Sequence, residues 1–411
     1  MKKISKRITS KMVLNTPSLF YPYFCTLIPT NMSFSSFGLL SSLLPVLTDL
    51  KYESPTPIQE QAIPAILTKK DVLGIAPTGS GKTASYVLPI LSQLAANKTG
   101  KNRHVQVLVL VPTRELAVQV SDVFKQFSRA IPTQPKVLAV YGGVSINPQM
   151  KALMGTSILV ATPGRLIELV ASNAVNLSET KTLVLDEADK LLNLGFQEEM
   201  QKIVDLLPKK RQNLLFSATL NDQVSDVTML LLHAPIVVKV EKEESGIDQI
   251  IQSAYAVSEV KKGPLLRYLI KTKEMKQVLI FVSSTFRADA VVEKLRKNKI
   301  NAVAIHSKKS QDARTKSLEN FKLGRTPVLV ATDLISRGID IEFLPFVINY
   351  ELPRSPKDYV HRIGRTGRAD ATGEAITFVQ PEDEHHFKII QKKMGKQVPI
   401  TDADDLHLSG Y

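Results

Sequence analysis

Short apolar runs rich in valine, isoleucine and leucine recur along this chain of 411 residues, and each is followed by a loop and a helix-like segment. A first series comprises 72–76, 106–111, 136–141, 157–161, 182–185 and 212–216. A second series comprises 277–282, 301–305, 327–331, 346–350 and 374–379. Continuous apolar strands separated by helices indicate parallel sheets covered on both faces. We therefore predict an α/β fold with two parallel-sheet domains in tandem.

The two series share a layout, which indicates a weak internal duplication. In both, polar and glycine-containing clusters come directly after an apolar run. Ligands of open parallel sheets bind at the carboxyl ends of the strands. We therefore predict two sheets whose active edges face each other across a cleft.

Local composition sets the expected boundaries. Residues 241–250 are charged, contain glycine and lack periodicity, which indicates a short flexible linker between domains at 32–240 and 251–395. Residues 396–411 are interpreted as a short tail. The first 31 residues carry five lysines and arginines and no acid. We expect this extension, 1–31, to be disordered or a misassigned start, with a targeting segment as the alternative.

The overall charge and the cysteine content limit the kinds of partner and compartment. The formal net charge of +14 at pH 7 favours a polyanionic partner such as nucleic acid, or an anionic membrane surface. The single cysteine, Cys25, excludes an intramolecular disulfide and fits a reducing compartment such as the cytoplasm. Because no unbroken apolar run of about 18 residues occurs, we predict no membrane span.

Residues 76–83 read Ala-Pro-Thr-Gly-Ser-Gly-Lys-Thr and lie between a predicted strand and a predicted helix. Gly79 and Gly81 allow several backbone N–H groups to point at a phosphate, and the following helix adds its positive end. Lys82 can reach the β- and γ-phosphates, and the Thr83 hydroxyl can bind Mg²⁺. The alternative is an ordinary Gly-Ser turn at a helix start. The pattern predicts a triphosphate-binding loop that includes Thr78, Gly79, Ser80, Gly81, Lys82 and Thr83.

The acidic motif Asp-Glu-Ala-Asp at 186–189 follows the apolar run 182–185. An acid at the tip of a buried strand is costly unless it has a partner, and Mg²⁺ is the obvious partner for Asp186. Glu187 is placed to orient or deprotonate an attacking water. The alternative is an acidic helix N-terminus. Beside the phosphate loop, the motif predicts hydrolysis of a nucleoside triphosphate.

The segment from His361 to Arg368 contains three arginines, Arg362, Arg365 and Arg368, at spacings of three. Planar guanidinium groups suit phosphate oxygens. Presented across a cleft, one or two of them would act as arginine fingers, which stabilise transition-state charge. The alternative is a basic run that faces RNA or solvent. The first interpretation requires the two domains to close for hydrolysis.

In this order the motifs resemble those of the DEAD-box RNA helicases, a family of superfamily 2 helicases, over nearly all of the chain from Phe34 to about Val379. The resemblance implies two RecA-like domains, with ATP and Mg²⁺ as cofactors. It implies that Phe34 stacks on adenine, that Gln59 pairs with the base, and that Asp340 lies near the ribose. Metal binding is implied for Thr83 and Asp186, and catalysis for Lys82, Glu187, Arg365 and Arg368.

The resemblance also assigns residues to RNA binding and to coupling. RNA contacts are implied for Pro112, Thr113, Arg114, Gly143, Thr162, Arg165, Arg314 and Thr332. Coupling of hydrolysis to strand separation is implied for Ser217, Thr219, His361 and Arg362. Because such contacts go mostly to phosphates and 2′-hydroxyls, we expect little sequence preference. One departure from the family is Lys51, which stands where a glycine is usual.

The resemblance implies RNA-stimulated ATP hydrolysis coupled to domain closure. We expect local, non-processive unwinding of short RNA duplexes or remodelling of RNA–protein complexes, by a cytoplasmic monomer that binds single strands and short duplexes. Two alternatives stay open. One is an ATP-gated RNA clamp that hydrolyses slowly, and the other is a DNA-directed translocase on the same two-domain scaffold.

Overall fold

The computed structural model describes residues 32–95, 104–241, 250–333, 341, 344–367 and 373–411. The expectations about 1–31, about most of the linker, and about Asp340 and Arg368 therefore lie outside the described residues. No helix in the described part of the chain combines the length and the apolar character needed to cross a bilayer.

The first domain contains a sheet of seven parallel strands. Its strands are β1 Val72–Ile75, β2 Val107–Leu110, β3 Lys136–Val140, β4 Thr156–Ala161, β5 Thr182–Leu185, β6 Gln212–Ser217 and β7 Ile236–Lys239. Its helices are α1 Leu43–Asp49, α2 Pro57–Leu67, α3 Lys82–Ala95, α4 Arg114–Ser128, α5 Ile146–Ala152, α6 Pro163–Ala171, α7 Ala188–Asn193, α8 Gln197–Asp205 and α9 Asp222–Leu231, with a 3-10 turn at Phe34–Phe37. The strand order is β3-β4-β2-β5-β6-β1-β7.

The second domain also contains a sheet of seven parallel strands. Its strands are β8 Ile251–Ala256, β9 Val278–Val282, β10 Ala302–Ile305, β11 Val328–Thr332, β12 Phe346–Asn349, β13 Glu374–Val379 and β14 Ile400–Asp402. Its helices are α10 Glu259–Thr272, α11 Thr285–Lys297, α12 Gln311–Lys322, α13 Pro356–Ile363 and α14 Glu384–Met394, with 3-10 turns at Pro381–Asp383 and Ala403–Asp405. The strand order is β10-β11-β9-β12-β13-β8-β14.

The two sheets have equivalent topologies. When each sheet is numbered from its own first strand, both orders read 3-4-2-5-6-1-7, so that β8 corresponds to β1 and β14 to β7. The predicted α/β fold with two tandem parallel-sheet domains is confirmed. The repeated layout seen in the sequence therefore reflects a repeated three-dimensional order of strands.

Both faces of the central strands are buried, which explains their continuous apolar sequences. In β2, Val107 and Val109 contribute to the core on one face of the first sheet, whereas Leu108 and Leu110 contribute to the core on the other. Side chains alternate between the two faces of a strand, so every position of β2 must be apolar.

Every predicted strand is present, with ends that differ by no more than one residue. Three strands, β7, β8 and β14, were not predicted. They lie at or next to one edge of each sheet and carry exposed or half-buried side chains, so they lack a continuous apolar run.

The segment interpreted as a tail, 396–411, differs from that expectation because part of it completes the second sheet. Strand β14 pairs with β8, and Ala403 is buried in the core of the domain. The carbonyl of Tyr411 accepts a hydrogen bond of 2.6 Å from Arg267 on α10. Strand β14 was not predicted because it contains polar residues and no apolar run. An edge strand can include such residues because backbone pairing stabilises it as much as apolar burial does.

Candidate active site

The predicted phosphate loop at 76–83 connects β1 to α3. Gly79 and Gly81 have φ angles of 75° and 89°, in the left-handed region that glycine adopts without strain. Helix α3 begins at Lys82, directly after the loop. The free N–H groups of its first turn therefore lie beside the loop, as a phosphate site requires.

Helix α2 supports this loop through two side chains. Thr56 Oγ1 donates to the carbonyl of Ser80 at 2.7 Å, and Gln59 Nε2 donates to the carbonyl of Gly81 at 3.2 Å. Gln59 Oε1 accepts the N–H of Thr56 at 3.0 Å, which completes a capping box at the start of α2. A Cβ atom on Gly81 would lie 2.4 Å from Gln59 Nε2, so this close approach requires glycine.

The two residues predicted to bind adenine are both buried. Gln59 is only 1% exposed, and both ends of its amide are engaged within the protein. The ring of Phe34 lies edge-on to Phe37 and Tyr52, at centroid distances of 6.0 and 6.3 Å. Gln59 therefore helps to hold the phosphate loop, and the adenine contacts of Gln59 and Phe34 stay predictions.

Lys82 points back into its own loop. Its Nζ donates to the carbonyls of Ala76 and Pro77, both at 2.7 Å. Burial lowers the pKa of Lys82, while the negative charges of Asp186 and Glu187 oppose that shift. The ammonium group thus lies inside the phosphate loop and within the electrostatic field of the acidic motif.

Asp186 and Glu187 follow β5, and both carboxylates are largely buried. Asp186 Oδ1 accepts the N–H of Glu187 at 2.8 Å, and its Oδ2 accepts the hydroxyl of Tyr86 at 2.8 Å. Glu187 has a left-handed φ of 53°, and its Oε1 accepts from Lys190 Nζ at 2.5 Å. Burial raises the pKa of both carboxyl groups, although hydrogen bonds and nearby cations oppose this shift. Both are therefore stronger bases than exposed carboxylates.

The oxygen atoms gathered here fit a magnesium ion. Thr83 and Asp186 supply a hydroxyl and a carboxylate, which belong to the oxygen ligands that Mg²⁺ prefers. Among the described residues, Glu187 Oε2 is buried without a hydrogen-bond partner. Because an unpartnered buried carboxylate oxygen is costly, a water or a hydrated ion next to it would be stabilising. Metal binding by Thr83 and Asp186 stays a prediction.

The predicted coupling residues Ser217 and Thr219 connect the acidic motif to the second domain. Ser217 Oγ donates to the carbonyl of Thr219 at 2.8 Å. Thr219 Oγ1 donates to Asp189 Oδ2 at 2.9 Å and accepts from Lys357 Nζ of α13 at 3.4 Å. Side chains on both domains therefore meet at Thr219.

The predicted RNA contacts of the first domain lie in the loops and first helical turns that follow three adjacent strands. Pro112 and Thr113 follow β2, and Thr162 follows β4 directly before α6. A Cβ on Gly143, after β3, would lie 2.0 Å from a nitrogen of Arg114, so the guanidinium packs on this glycine. The predicted RNA contacts follow β3, β4 and β2, whereas the phosphate loop and the acidic motif follow β1 and β5.

Arg165, on α6, bonds the loop that follows β3. Its Nη2 donates to the carbonyl of Val144 at 2.8 Å, and its Nε donates to Glu168 at 2.8 Å. Its Nη1 is buried and has no partner among the described residues. This unsatisfied donor suits a phosphate oxygen.

The predicted RNA contact Arg314 lies at the interface between the domains. It forms an ion pair with Glu115 of α4, and Gln311 Nε2 also approaches Glu115 Oε1 at 3.4 Å. Thr332, at the end of β11, is buried. The structure thus brings Arg314 into contact with the first domain through Glu115.

Arg362, predicted to couple hydrolysis to strand separation, makes its described contacts inside the second domain. Its Nε and Nη2 donate to both carboxylate oxygens of Asp333, at 2.6 and 2.8 Å. Its Nη1 donates to Asn349 Oδ1 at 3.1 Å and to the carbonyl of Glu351 at 2.6 Å. His361 is its neighbour on α13, and Arg365 is buried directly after that helix.

Sequence reasoning gave no role to three residues that the structure brings into the site: Tyr86, Asp189 and Glu115. Asp189 belongs to the acidic motif at 186–189, and Glu115 directly follows the predicted RNA contact Arg114, so position in these motifs was the available signal. Tyr86 lies in an apolar part of α3 and resembles an ordinary core residue. Burial, together with the charge of Asp186, raises the pKa of Tyr86 well above its ordinary value. Its contact with Asp186 spans 100 positions, which no local pattern reveals.

The fold and the site define a class of protein with a phosphate loop and an acidic motif on one RecA-like domain and a second such domain beside it. Residues 56–227 match the DEAD/DEAH box helicase family, and residues 261–370 match the helicase conserved C-terminal domain. The chain belongs to the DEAD/DEAH box helicase family, which confirms the resemblance found in its sequence.

Two relatives have similar sequences over most of the chain. The ATP-dependent RNA helicase DeaD of Buchnera aphidicola is 39% identical over 366 residues, which cover 89% of this chain and 60% of the relative. The ATP-dependent RNA helicase CshA of Listeria monocytogenes is 38% identical over 371 residues, which cover 90% of this chain and 70% of the relative. The chain thus spans about 60% of the length of this DeaD.

A solved structure has a similar arrangement of both domains. Dbp5 of S. cerevisiae bound to RNA and ADP BeF3 matches with a TM-score of 0.79 and 29% identity. The match covers 91% of this chain and 96% of Dbp5.

Proposed function

We propose that this protein is an ATP-dependent RNA helicase in which RNA-stimulated ATP hydrolysis accompanies domain closure and local, non-processive unwinding of short RNA duplexes or remodelling of RNA–protein complexes. The observation that carries the proposal is a continuous line of contacts from the acidic motif to the second domain. Asp189 binds Thr219, and Thr219 meets Lys357 of the second domain. A change at the phosphates therefore has a direct route to the domain interface.

Glu187 is the proposed general base for the attacking water. Its Oε1 is held by Lys190, while its Oε2 is buried and unpartnered among the described residues. Burial raises its pKa, which makes it a stronger base than an exposed glutamate. The free oxygen and the raised basicity support proton transfer from water to Oε2.

The phosphates of ATP would lie in the loop at 76–83. Lys82 would exchange the carbonyls of Ala76 and Pro77 for phosphate oxygens, because an ammonium group binds an anion more strongly than a neutral carbonyl. Thr83 and Asp186 would hold Mg²⁺, which when bound supplies positive charge to the β- and γ-phosphates. Arg365 and Arg368 are the proposed arginine fingers of the second domain.

RNA would cross both domains at their facing edges. Arg114 and Arg165 offer guanidinium groups on the first domain, and Arg314 lies across the interface from them. The ion pair of Arg314 with Glu115 supports a closed arrangement in which these loops form one surface. Contacts with phosphates and 2′-hydroxyls would favour RNA without strong sequence preference.

The decisive experiment measures ATP hydrolysis with RNA, with single-stranded DNA and without nucleic acid. We expect stimulation by RNA alone, and a loss of about 10²–10⁴-fold in Glu187→Gln, the range for a general base. Glu198→Gln, an exposed substitution on α8, is the matched control and should retain full activity.

The alternatives give different results in the same assay. Equal stimulation by DNA would support a DNA-directed translocase, and hydrolysis indifferent to nucleic acid would contradict the proposal. Slow turnover with RNA retained after hydrolysis would support an ATP-gated clamp. We expect a cytoplasmic monomer, and sedimentation at increasing protein concentration tests the monomeric state.

A further inference from the structure

Tyr86 lies at the centre of an aromatic cluster behind the phosphate loop. It is 0% exposed, and its ring packs against Phe216 and Phe124 at centroid distances of 5.3 and 6.2 Å. A phenylalanine would fill the same space. The hydroxyl is therefore the feature that needs an explanation, because a buried hydroxyl is unfavourable unless it is hydrogen-bonded.

The hydroxyl of Tyr86 leaves the cluster and enters the active site. It donates to Asp186 Oδ2 at 2.8 Å, and the side chain of Thr83 also interacts with it. Thr83 and Tyr86 are three positions apart on α3, so their side chains lie on the same face of the helix. One phenol thus joins the two residues to which the proposed function assigns the magnesium ion.

The direction of these hydrogen bonds follows from the available protons. A phenol has one proton to donate and oxygen lone pairs that accept. Since the proton of Tyr86 is given to Asp186, the hydroxyl of Thr83 can interact with Tyr86 only as the donor. The lone pairs of Thr83 Oγ1 then point away from Tyr86 and are available to a cation.

The carboxylate of Asp186 is fixed at both oxygens. Oδ1 accepts the N–H of Glu187, and Oδ2 accepts the hydroxyl of Tyr86. Each oxygen keeps further lone pairs for a metal ion or its water ligands. Hydrogen bonds of this kind orient metal ligands, and their removal typically lowers metal affinity by about 10–100-fold.

We infer that Tyr86 is a positioning residue of the magnesium site, whose hydroxyl holds Thr83 and Asp186 in the orientation in which both offer oxygen atoms to the ion. This inference rests on the proposed function of the same site. It concerns the binding of Mg²⁺ together with nucleotide, and it gives Tyr86 no part in proton transfer.

The test is the effect of Tyr86→Phe on the gain in nucleotide affinity that Mg²⁺ provides. The affinity for a fluorescent ADP is measured with saturating Mg²⁺ and again with EDTA. We expect Tyr86→Phe to reduce the Mg²⁺-dependent gain by about tenfold, while the affinity in EDTA stays unchanged. Mg²⁺ titrations at fixed ADP should show a corresponding rise in the Mg²⁺ concentration required.

The chain offers a matched control in Tyr359→Phe. Tyr359 is also 0% exposed, and its hydroxyl bonds Thr377 at 3.0 Å in the second domain. Both substitutions remove one buried hydroxyl and keep the ring. Tyr359→Phe should leave the Mg²⁺-dependent gain unchanged, and thermal unfolding monitors the stability of both variants.

Each outcome separates the inference from the proposed function. An unsubstituted protein without Mg²⁺-dependent nucleotide binding would contradict the proposed function itself. If that protein shows the gain and Tyr86→Phe keeps it, or loses affinity equally in EDTA, the inference is overturned. If Tyr86→Phe does not fold, the unsubstituted protein is labelled with 3-fluorotyrosine, and paramagnetic Mn²⁺ is added with ADP. The inference requires that the ¹⁹F resonance of Tyr86 broadens while that of Tyr359 does not, and an unbroadened Tyr86 resonance would overturn it.

Discussion

Glu115 in the first domain and Arg314 in the second form an ion pair whose side chains are only 9% and 6% exposed. Gln311, on the same helix as Arg314, also approaches the Glu115 carboxylate at 3.4 Å. A buried charge without a partner is strongly destabilising. Glu115 and Arg314 therefore neutralise each other only while the two domains are in contact.

Loss of this ion pair should weaken domain closure. Glu115→Gln would leave Arg314 buried without a countercharge, at a cost of about 3 kcal/mol on closure. We expect RNA affinity in the presence of a non-hydrolysable ATP analogue to fall by about 100-fold, as measured by fluorescence anisotropy. Glu115 is an acid and not an RNA ligand, so removal of a direct RNA contact would not explain the loss.

An exposed glutamate provides the control for this prediction. Glu319→Gln alters the solvent-facing side of α12 and should leave RNA affinity unchanged. The reversed pair, Glu115→Arg with Arg314→Glu, should recover part of the closure energy. Full RNA affinity in Glu115→Gln would refute the role given to the ion pair.

A methyl group on Gly81 should abolish nucleotide binding. The new Cβ would lie 2.4 Å from Gln59 Nε2, at a residue whose φ is +89°. The loop and the start of α2 must then separate, so we expect Gly81→Ala to lower ADP affinity by at least about 100-fold. Gly195→Ala is the matched control, because φ is +83° there but nothing lies within 4 Å of the added atom. Equal ADP binding by both variants would be evidence against the close packing of Gln59 on the loop.

Arg362 should contribute mainly to the stability of the second domain. Arg362→Ala removes the bidentate bond to Asp333 and leaves that carboxylate without its guanidinium partner. We expect the free energy of unfolding of the second domain to fall by about 3–5 kcal/mol. Hydrogen exchange of β11 and β12 measures this change, with Lys388→Ala, an exposed change on α14, as control. Native-like exchange in Arg362→Ala would contradict this stabilising role.

Glu351 should make the stability of the second domain depend on pH. Burial raises its pKa, but two hydrogen bonds of 2.6 Å from Ser283 and the charge of Arg287 outweigh burial and lower the pKa below its ordinary value. The stabilisation is present above the ordinary carboxyl pKa and is lost as pH falls through the lowered value. In that interval the unfolded chain binds more protons, so the free energy of unfolding rises with pH.

The comparison of Glu351→Gln with the unsubstituted protein measures this effect. Hydrogen exchange of β12 and β13, between about pH 3 and pH 7, should give a stability difference that grows with pH and then levels off. A difference that is constant over this range would mean that Glu351 acts through packing rather than through its charge.

Most strands could be predicted because burial on both faces of a sheet requires a continuous run of apolar residues. Val107 to Leu110 are all apolar because each contributes to one core or the other. Ile400–Asp402 left no such signature, since backbone pairing at a sheet edge places few demands on side chains. Lys51 could be singled out as a departure from the family glycine, and its φ of 60° lies in the left-handed region that favours glycine.

Site residues within short sequence motifs could be predicted. Contacts between segments that are distant in the sequence could not. Lys82 and Glu187 stand in compact motifs whose spacing reflects backbone geometry. The burial of Gln59 against Gly81 and the bond from Tyr86 to Asp186 join distant segments. Such contacts depend on how helices pack on the sheet, which no short pattern records.

A comparison of the two equivalent sheets predicts how many nucleotides the protein binds. Strands β1 and β8 hold equivalent places, yet the described chain after β8 passes only Val257 and Ser258 before α10 begins at Glu259. A loop this short cannot surround a phosphate group as residues 76–83 can, and its helix begins with a carboxylate instead of a lysine. The second domain thus has the strand order of the first but no comparable phosphate loop after β8 in the described chain. We therefore expect each protein molecule to bind one nucleotide when its domains close, and to reopen after that nucleotide has been hydrolysed.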